Sequence, residues 1–449
     1  MKKNTTSKAR LSSRKVRITN RAKGLTSQAG LIPVMRFLER LGFFWLMDEN
    51  VGHGRGDNAV YTLTDAVWLT TVGMVGGANS LLKVVALWGD GVLRRIGGWA
   101  RIPDDSTLGR LFKEVSAEQI VRLEALNHRL RARVWKRALR AGRSLVRALP
   151  TLWVDVDSTV KTVFGKPEGA AKGYNPGKRG AFSYHPLLAF CVPTKEILQA
   201  WLRTGSAYTS NGVVEFMKQL LAHLPNKVRI VFRGDKGFFA GALLSLLESL
   251  GHGYLIKVKL KGLAGLLATQ AWSAIRGHEG WEQCEFFYRC RDWENPRRFV
   301  AVRTEKVPEK KSAQVELLPC KDYENFCYVT SEPLSPWEAH KKYGERATCE
   351  TWIDEAKNQM GLGQIKTGEF LANSALFQCA VLAYNTVRWM AMMSGNATLR
   401  RWEIQTVRTF LVRVAGRLLA GSRQLTLNTP REHLYPGAWD DWVAVGLSA

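Results

Sequence analysis

The sequence is poor in the features that mark several protein classes. Its seven cysteines (Cys191, Cys284, Cys290, Cys320, Cys327, Cys349 and Cys379) form no CxxC pair. That argues against a zinc site or disulfide framework and for a reducing, cytoplasmic setting. No GxxxxGK[ST] loop is present, so nothing points to ATP use. The charged N-terminus lacks an apolar h-region, and no secretory signal is expected. The longest apolar run, AVWLTTVGMVGGANSLL, is diluted by Thr, Gly and Asn between Asp65 and Lys83. It reads as a buried helix, and no membrane partner is expected. Internal repeats are missing. Acids are scarce too: 39 Asp and Glu face 65 Lys and Arg, and the first acid is Glu39. The resulting formal charge of +26 implies a polyanionic partner, nucleic acid before membrane.

What is present divides the 449 residues into segments. Residues 1–30 form a basic arm with Lys2, Lys3, Lys8, Arg10, Arg14, Lys15, Arg17, Arg21 and Lys23, expected to be flexible until it meets a polyanion. Residues 31–150 have helical periodicity, with capping residues in DDSTLGRLF and a strongly basic helix in NHRLRARVWKRALRAGRSLVR. A helical DNA-binding domain is the expectation there. At 151 the period changes to two: Leu152, Val154 and Val156 alternate with Trp153, Asp155 and Asp157. Strand-like HPLLAFCV and EILQAWLR follow, then a helix near 210–223, the apolar strand VRIVF, a helix near 238–250 and the strand GYLIKVK. This order over 151–261 predicts an α/β fold built on a mixed sheet with flanking helices. Residues 262–332 contain WEQCEFFYRC, RRFVAVRTEK and FCYVTSE and read as a β-rich insertion. Helices resume over 333–395, and 396–449 reads as a basic helical tail.

Three acids occupy distinctive places. Asp157 lies in or just after the first strand, Asp235 follows the buried fourth strand in RGDKGFF, and Glu350 belongs to YGERATCETWIDEAKNQ. Carboxylates at strand ends of an α/β sheet gather at its carboxyl edge, where active sites form. Grouped acids repel unless neutralised, and Mg²⁺ is the suitable agent in a basic protein that handles phosphates. On one continuous helix Tyr343, Arg346, Glu350 and Lys357 fall within an arc of about 60°, and Cys349, Ile353, Ala356 and Met360 form the neighbouring core-facing stripe. Asp155 shares a strand face with Asp157, so the identity of the first metal ligand stays open between them. Asp354 and His185 are weaker rivals, read as a helix-surface acid and a packed histidine. GKPEGAAKGYNPGKRG reads as a mobile loop with basic residues near DNA.

The spacing Y-x2-R-x3-E-x6-K, together with DVDSTV…YNPGKRGAFSYHPLLAF and RGDKGFF in that order, resembles the bacterial insertion-sequence DDE transposases of the cut-and-paste group with the Tyr-Arg-Glu-Lys signature. The resemblance covers residues 150–395 well and the two ends loosely. It implies a ribonuclease H-like core in which Asp157, Asp235 and Glu350 hold two Mg²⁺ (or Mn²⁺) ions. It also implies that Tyr343, Arg346 and Lys357 hold phosphates of double-stranded DNA: the terminal inverted repeats and the target. A homodimer on DNA is implied as well, and an insertion aromatic that stacks on a flipped base, for which Trp293 in RCRDWENPRR is the candidate. The Ser-Thr after Asp157 favours it over Asp155 as ligand. Two rival functions stand beside this one: a non-catalytic regulator descended from a transposase, and a related nuclease that cuts without joining.

Overall fold

A computed structural model describes residues 16–448 apart from 53–58, 145–150, 174, 176, 209, 226–227, 307–321 and 364–366. Lys2 to Lys15 of the basic arm and Cys320 lie outside the described residues.

Between Leu31 and Arg140 the described chain forms seven helices, among them α1 (Leu31–Arg40), α2 (Leu63–Gly76) and α3 (Ala117–Arg140). Their starts follow from local chemistry. Thr62 with Asp65, and Ser116 with Gln119, form reciprocal capping boxes ahead of α2 and α3. The apolar run beginning at Ala66 is two helices and not one: α2 and Leu81–Trp88 meet at 85° across Gly77. The arginines of α3 have a role that their charge did not reveal. Arg133 Nη1 donates to Leu41 O (2.5 Å), Arg137 Nη2 to Arg40 O (2.7 Å), Arg122 Nη1 to Asn50 O (3.1 Å) and Arg131 Nη1 to Leu198 O (2.5 Å). Three of these acceptors are the unpaired carbonyls that close neighbouring helices, which attract cations. Much of this basic face therefore staples helices together.

The alternating segment forms β1 (Thr151–Ser158), followed by β2 (Leu187–Cys191), β3 (Ile197–Trp201), β4 (Arg229–Gly234) and β5 (Gly253–Lys257). Leu152, Val154, Val156, Ile230 and Phe232 are at most 1% exposed. Each such side chain withdrawn from water contributes roughly 1.5–3 kcal/mol. β2 runs antiparallel to β1 and to β3, whereas β4 lies parallel to β1 and β5 parallel to β4. The spatial order β3-β2-β1-β4-β5 forms the expected mixed sheet with flanking helices. Helices α4 (Val213–Ala222) and α5 (Gly241–Ser249) carry the chain between its later strands.

The strands expected over 262–332 prolong the core sheet instead of standing apart from it. β6 (Trp281–Tyr288), β7 (Arg297–Glu305) and β8 (Tyr323–Thr330) are antiparallel, and β8 pairs with β5 from Tyr328↔Lys257 to Thr330↔Leu255. After them come α6 (Pro336–Gly344), α7 (Ala347–Asp354), a π-turn at Glu355–Gln359 and α8 (Phe370–Met393). Helix α8 is long and apolar enough to cross a membrane by length and composition, yet 89% of its apolar window is buried within the fold. It packs on α2, α3 and β3.

Both termini depart from the sequence expectation. The described part of the arm is exposed up to Leu25, but Leu25–Thr26 pairs with the strand Gly416–Ala420. Ala29 N donates to Val414 O (2.9 Å), and a Cβ at Gly30 would sit 1.6 Å from Leu411 O, so only glycine fits there. The tail is not helical throughout. It contains the hairpin Gly416–Ala420 with Leu425–Asn428 before α9 (Pro436–Ser448), which packs on α1. Arg408, one of the tail's basic residues, is buried and donates to Val75 O (3.0 Å), Met74 O (3.2 Å) and Gln359 O (2.5 Å).

Candidate active site

The parallel pairing of β1 with β4 sets Asp155 opposite Arg233 and Val156 opposite Gly234. One step further along the same register stand Asp157, near the end of β1, and Asp235, the residue after β4. Gly234 makes this ending possible, because a Cβ there would meet the rings of Phe232 at 2.7 Å and Phe238 at 2.9 Å. Asp235 turns the chain, its Oδ1 accepting from Gly237 N at 2.9 Å. Asp157 Oδ1 accepts from Ser158 N at 2.9 Å.

Asp155 and Asp157 have different surroundings. Asp155 is fully buried, and both its oxygens are held by Arg233, Nε to Oδ1 at 2.6 Å and Nη2 to Oδ2 at 2.8 Å. A bidentate pair of this kind saturates a carboxylate. Asp157 keeps partial exposure and faces Arg346, with Nη2 2.8 Å from Oδ2. Burial pushes the Asp157 carboxyl up to about 6, with Arg346 opposing and the neighbouring Asp235 adding to the rise.

Tyr343 and Arg346 reach this edge from the end of α6 and the turn after it. Tyr343 packs on Tyr328 with centroids 4.7 Å apart and the rings tilted by 40°. Burial pushes its hydroxyl up to about 12, with Arg346 opposing and Asp235 and Asp157 adding to the rise. Arg346 is 8% exposed, and its Nε and Nη2 have no aligned hydrogen-bond acceptor.

The single helix expected over 343–359 is broken. Tyr343 belongs to α6, Arg346 lies in the turn, Glu350 belongs to α7 and Lys357 to the π-turn. The expected core stripe survives: Cys349, Ile353, Ala356 and Met360 are all buried. Burial raises the Cys349 thiol, and the carboxylates of Asp155 and Asp157 push it further, which places α7 over the acids. Glu350, the next residue, is exposed. No group of three or more Asp, Glu, His or Cys side chains among the described residues is assembled to hold a metal. The structure thus brings together Asp157, Asp235, Arg346 and Tyr343, and Glu350 does not form a three-acid group with the two aspartates among the described residues. Lys357 is half-buried, and burial lowers its ammonium pKa.

Trp293 requires a correction. It is 8% exposed, packed on Phe239 (5.4 Å) and Phe299 (5.9 Å), with Arg297 over its ring at 4.5 Å. A ring seated there is a core residue and offers no face to a DNA base. The exposed aromatic of these strands is Phe287, at 67%. His185 is buried, and its carbonyl accepts from Arg203 Nε at 2.9 Å. The GKPEGAAKGYNPGKRG segment is partly structured, since Ala171–Lys172 pairs with Phe182–Tyr184.

Two buried carboxylates had no sequence signal because their partners are far away in the chain. Glu196 accepts from Trp135 Nε1 (2.8 Å), Thr194 Oγ1 (2.8 Å) and Trp389 Nε1 (2.5 Å), tying α3 and α8 to the β2–β3 turn. Glu355 pairs with Arg388 and accepts from Ile404 N at 3.2 Å, which anchors the π-turn.

The donors at the sheet edge suit a hard divalent cation. They are carboxylate oxygens, and the repulsion by which Asp235 adds to the rise at Asp157 is what such a cation relieves. The buried guanidinium lacking aligned acceptors suits a phosphate.

Comparison with known proteins agrees with this chemistry. The family model of the transposase DDE domain, group 1, matches residues 8–443. No curated protein matches. Among solved structures, one similar chain is described as "Cryo-EM structure of piggyBac transposase synaptic complex with hairpin DNA (SNHP)". It is 13% identical, with 85% of this chain and 78% of that chain covered and a TM-score of 0.42. That likeness is too distant to carry function across, whereas the family match spans nearly the whole chain. This protein therefore belongs to the DDE transposases, in the group 1 family.

Proposed function

We propose that this transposase binds the terminal inverted repeats of its element, cleaves both ends and joins them to new DNA in a divalent-metal-dependent reaction. The observation that carries this reading is the placement of Asp157 and Asp235 at the ends of adjacent parallel strands, with Arg346 2.8 Å from Asp157. Asp157 and Asp235 would hold Mg²⁺ or Mn²⁺, and Glu350, exposed on α7 and not grouped with them here, would have to approach them to serve as the third ligand. Bound there, the cations supply Lewis acidity, making water or a 3′-hydroxyl a better nucleophile and offsetting charge on the leaving oxygen.

The chain's own groups have separate tasks. Arg346 holds the non-bridging oxygens of the scissile phosphate through its planar fork. The Tyr343 hydroxyl, kept protonated by burial, donates a hydrogen bond to a phosphate oxygen. Lys357 adds a point charge farther along the strand. Asp155 is excluded from ligation by its pair with Arg233 and instead fixes the two strands on which the acids stand. The helical domain 31–150 and the exposed Arg17, Arg21 and Lys23 bind the DNA duplex, and two copies act together on the two ends.

The test uses the full chain and an end-labelled duplex carrying the repeats that flank its gene. Asp157→Asn, Asp235→Asn and Glu350→Gln should each lose cleavage and keep duplex binding. Near-parental cleavage by either Asp variant would overturn the site, and near-parental cleavage by Glu350→Gln would remove Glu350 from it. Binding without cleavage by the parent in both Mg²⁺ and Mn²⁺ would favour the regulator reading.

A further inference from the structure

Arg346 occupies the carboxylate oxygen that a cation needs. Of the two Asp157 oxygens, Oδ1 accepts from Ser158 N (2.9 Å) and Oδ2 faces Arg346 Nη2 (2.8 Å). Asp235 has Oδ1 engaged by Gly237 N (2.9 Å), which leaves its Oδ2 without a partner among the described residues. A cation bridging these two acids would therefore have to displace the guanidinium from Asp157, bringing two positive charges together in a desolvated site. That displacement is unfavourable unless the guanidinium has somewhere to go.

The state of Arg346 shows where. It is 8% exposed, yet Nε and Nη2 have no aligned acceptor, so its approach to Asp157 satisfies charge without satisfying hydrogen bonding. A phosphodiester offers two oxygens to two N–H groups of one guanidinium face, a better match than the carboxylate provides here. Tyr343, beside Arg346 and the two acids, is placed to share that phosphate.

We propose that Arg346 is an electrostatic gate: in DNA-free protein it blocks Asp157 against divalent cations, and a DNA phosphate draws it away, so that the cation binds after the substrate. The inference rests on the reading of Asp157 as a cation ligand. It gives the site a fixed order, with DNA first and metal second, which keeps an unloaded nuclease centre inactive. By linkage, the duplex and the cation each tighten the binding of the other.

The experiment measures Mn²⁺ binding to the full chain by the electron paramagnetic resonance of the free ion. Without DNA the parent should bind weakly, and Arg346→Gln should bind at least about tenfold tighter, about 1.4 kcal/mol. Arg346→Lys keeps the positive charge and should stay near the parent. A duplex carrying the flanking repeat, corrected for its own Mn²⁺ binding, should tighten the parent and leave Arg346→Gln unchanged. Parental affinity in Arg346→Gln, with binding abolished in Asp157→Asn, would overturn the gate and keep the ligand. Parental affinity in Asp157→Asn with the duplex bound, where Asp157 is unblocked, would instead overturn the ligand reading. If Arg346→Gln fails to fold, the parent decides alone: unchanged Mn²⁺ affinity on adding duplex overturns the gate, and a tenfold gain supports it.

Discussion

Asp155 and Arg233 face each other across two adjacent parallel strands, both fully buried, joined at 2.6 and 2.8 Å. Two residues further along each strand stand Asp157 and Asp235. The pair fixes the register in which the site's acids lie side by side. It also explains how two carboxylates on one strand face take different roles: one is saturated by a guanidinium, the other kept near solvent.

Breaking that pair should cost more than altering the site. Asp155→Ala removes the bidentate partner of the buried Arg233, leaving it only Lys342 O and Glu345 at 3.4 Å, and should lower stability by about 3–5 kcal/mol, measured by urea unfolding. Joint replacement by Asp155→Leu and Arg233→Met should recover most of the loss. A loss below about 1 kcal/mol in Asp155→Ala would mean that the pair does not organise the strands.

Asp157 predicts a pH signature. Its folded-state carboxyl lies near 6, above the unfolded value near 3.8, so burial of its charge destabilises the fold at neutral pH. That penalty is present above about 6 and is relieved as pH falls toward 3.8. Asp157→Asn should therefore be the more stable protein at pH 7.5, by roughly 1–3 kcal/mol, with the difference vanishing near pH 4. Urea midpoints across pH 4–8 measure it; a parent more stable than the variant at pH 7.5 would contradict the environment described for Asp157.

Trp293→Ala should destabilise the whole fold, by about 3–5 kcal/mol, because it empties the space between Phe239, Phe299 and Gly241. Phe287→Ala, at an exposed position, should change stability by less than about 0.5 kcal/mol. Equal unfolding midpoints for Trp293→Ala and the parent would return Trp293 to the surface.

The strands and acids were legible because their signals are local. Alternation at Leu152, Val154 and Val156 and the apolar run ending at Asp235 give β1 and β4 directly. What could not be read was set by distant partners. Tyr343, Arg346, Glu350 and Lys357 have helical spacing, but a turn breaks the helix at Glu345 and Arg346, and Arg388, 33 residues beyond Glu355, anchors the π-turn. The arginines of α3 looked like a DNA face because a sequence shows charge and not the carbonyl each one finds. Trp293 sat among arginines that suggested phosphates, yet Arg297 pairs with Glu248 at 2.7 Å and covers the ring.

Those structural arginines separate from the exposed ones in a salt titration. Replacing Arg17, Arg21 and Lys23 together by Gln should flatten the slope of log affinity against log salt by up to about 0.9 for each phosphate no longer neutralised. Stability should stay unchanged, since all three are exposed. Arg131→Gln should do the reverse, lowering stability with little change in slope, because its guanidinium is buried against Leu198 O. An unchanged slope in the triple variant would show that this stretch does not touch DNA.

The central claim, that Asp235 touches the catalytic metal, is tested most directly by Asp235→Cys. A thiolate is a poor ligand for Mg²⁺ and a better one for Mn²⁺. Cleavage of the end-labelled repeat duplex by this variant should be lost in Mg²⁺ and partly restored in Mn²⁺, while the parent cleaves in both. Parental cleavage by Asp235→Cys in Mg²⁺ would contradict the account.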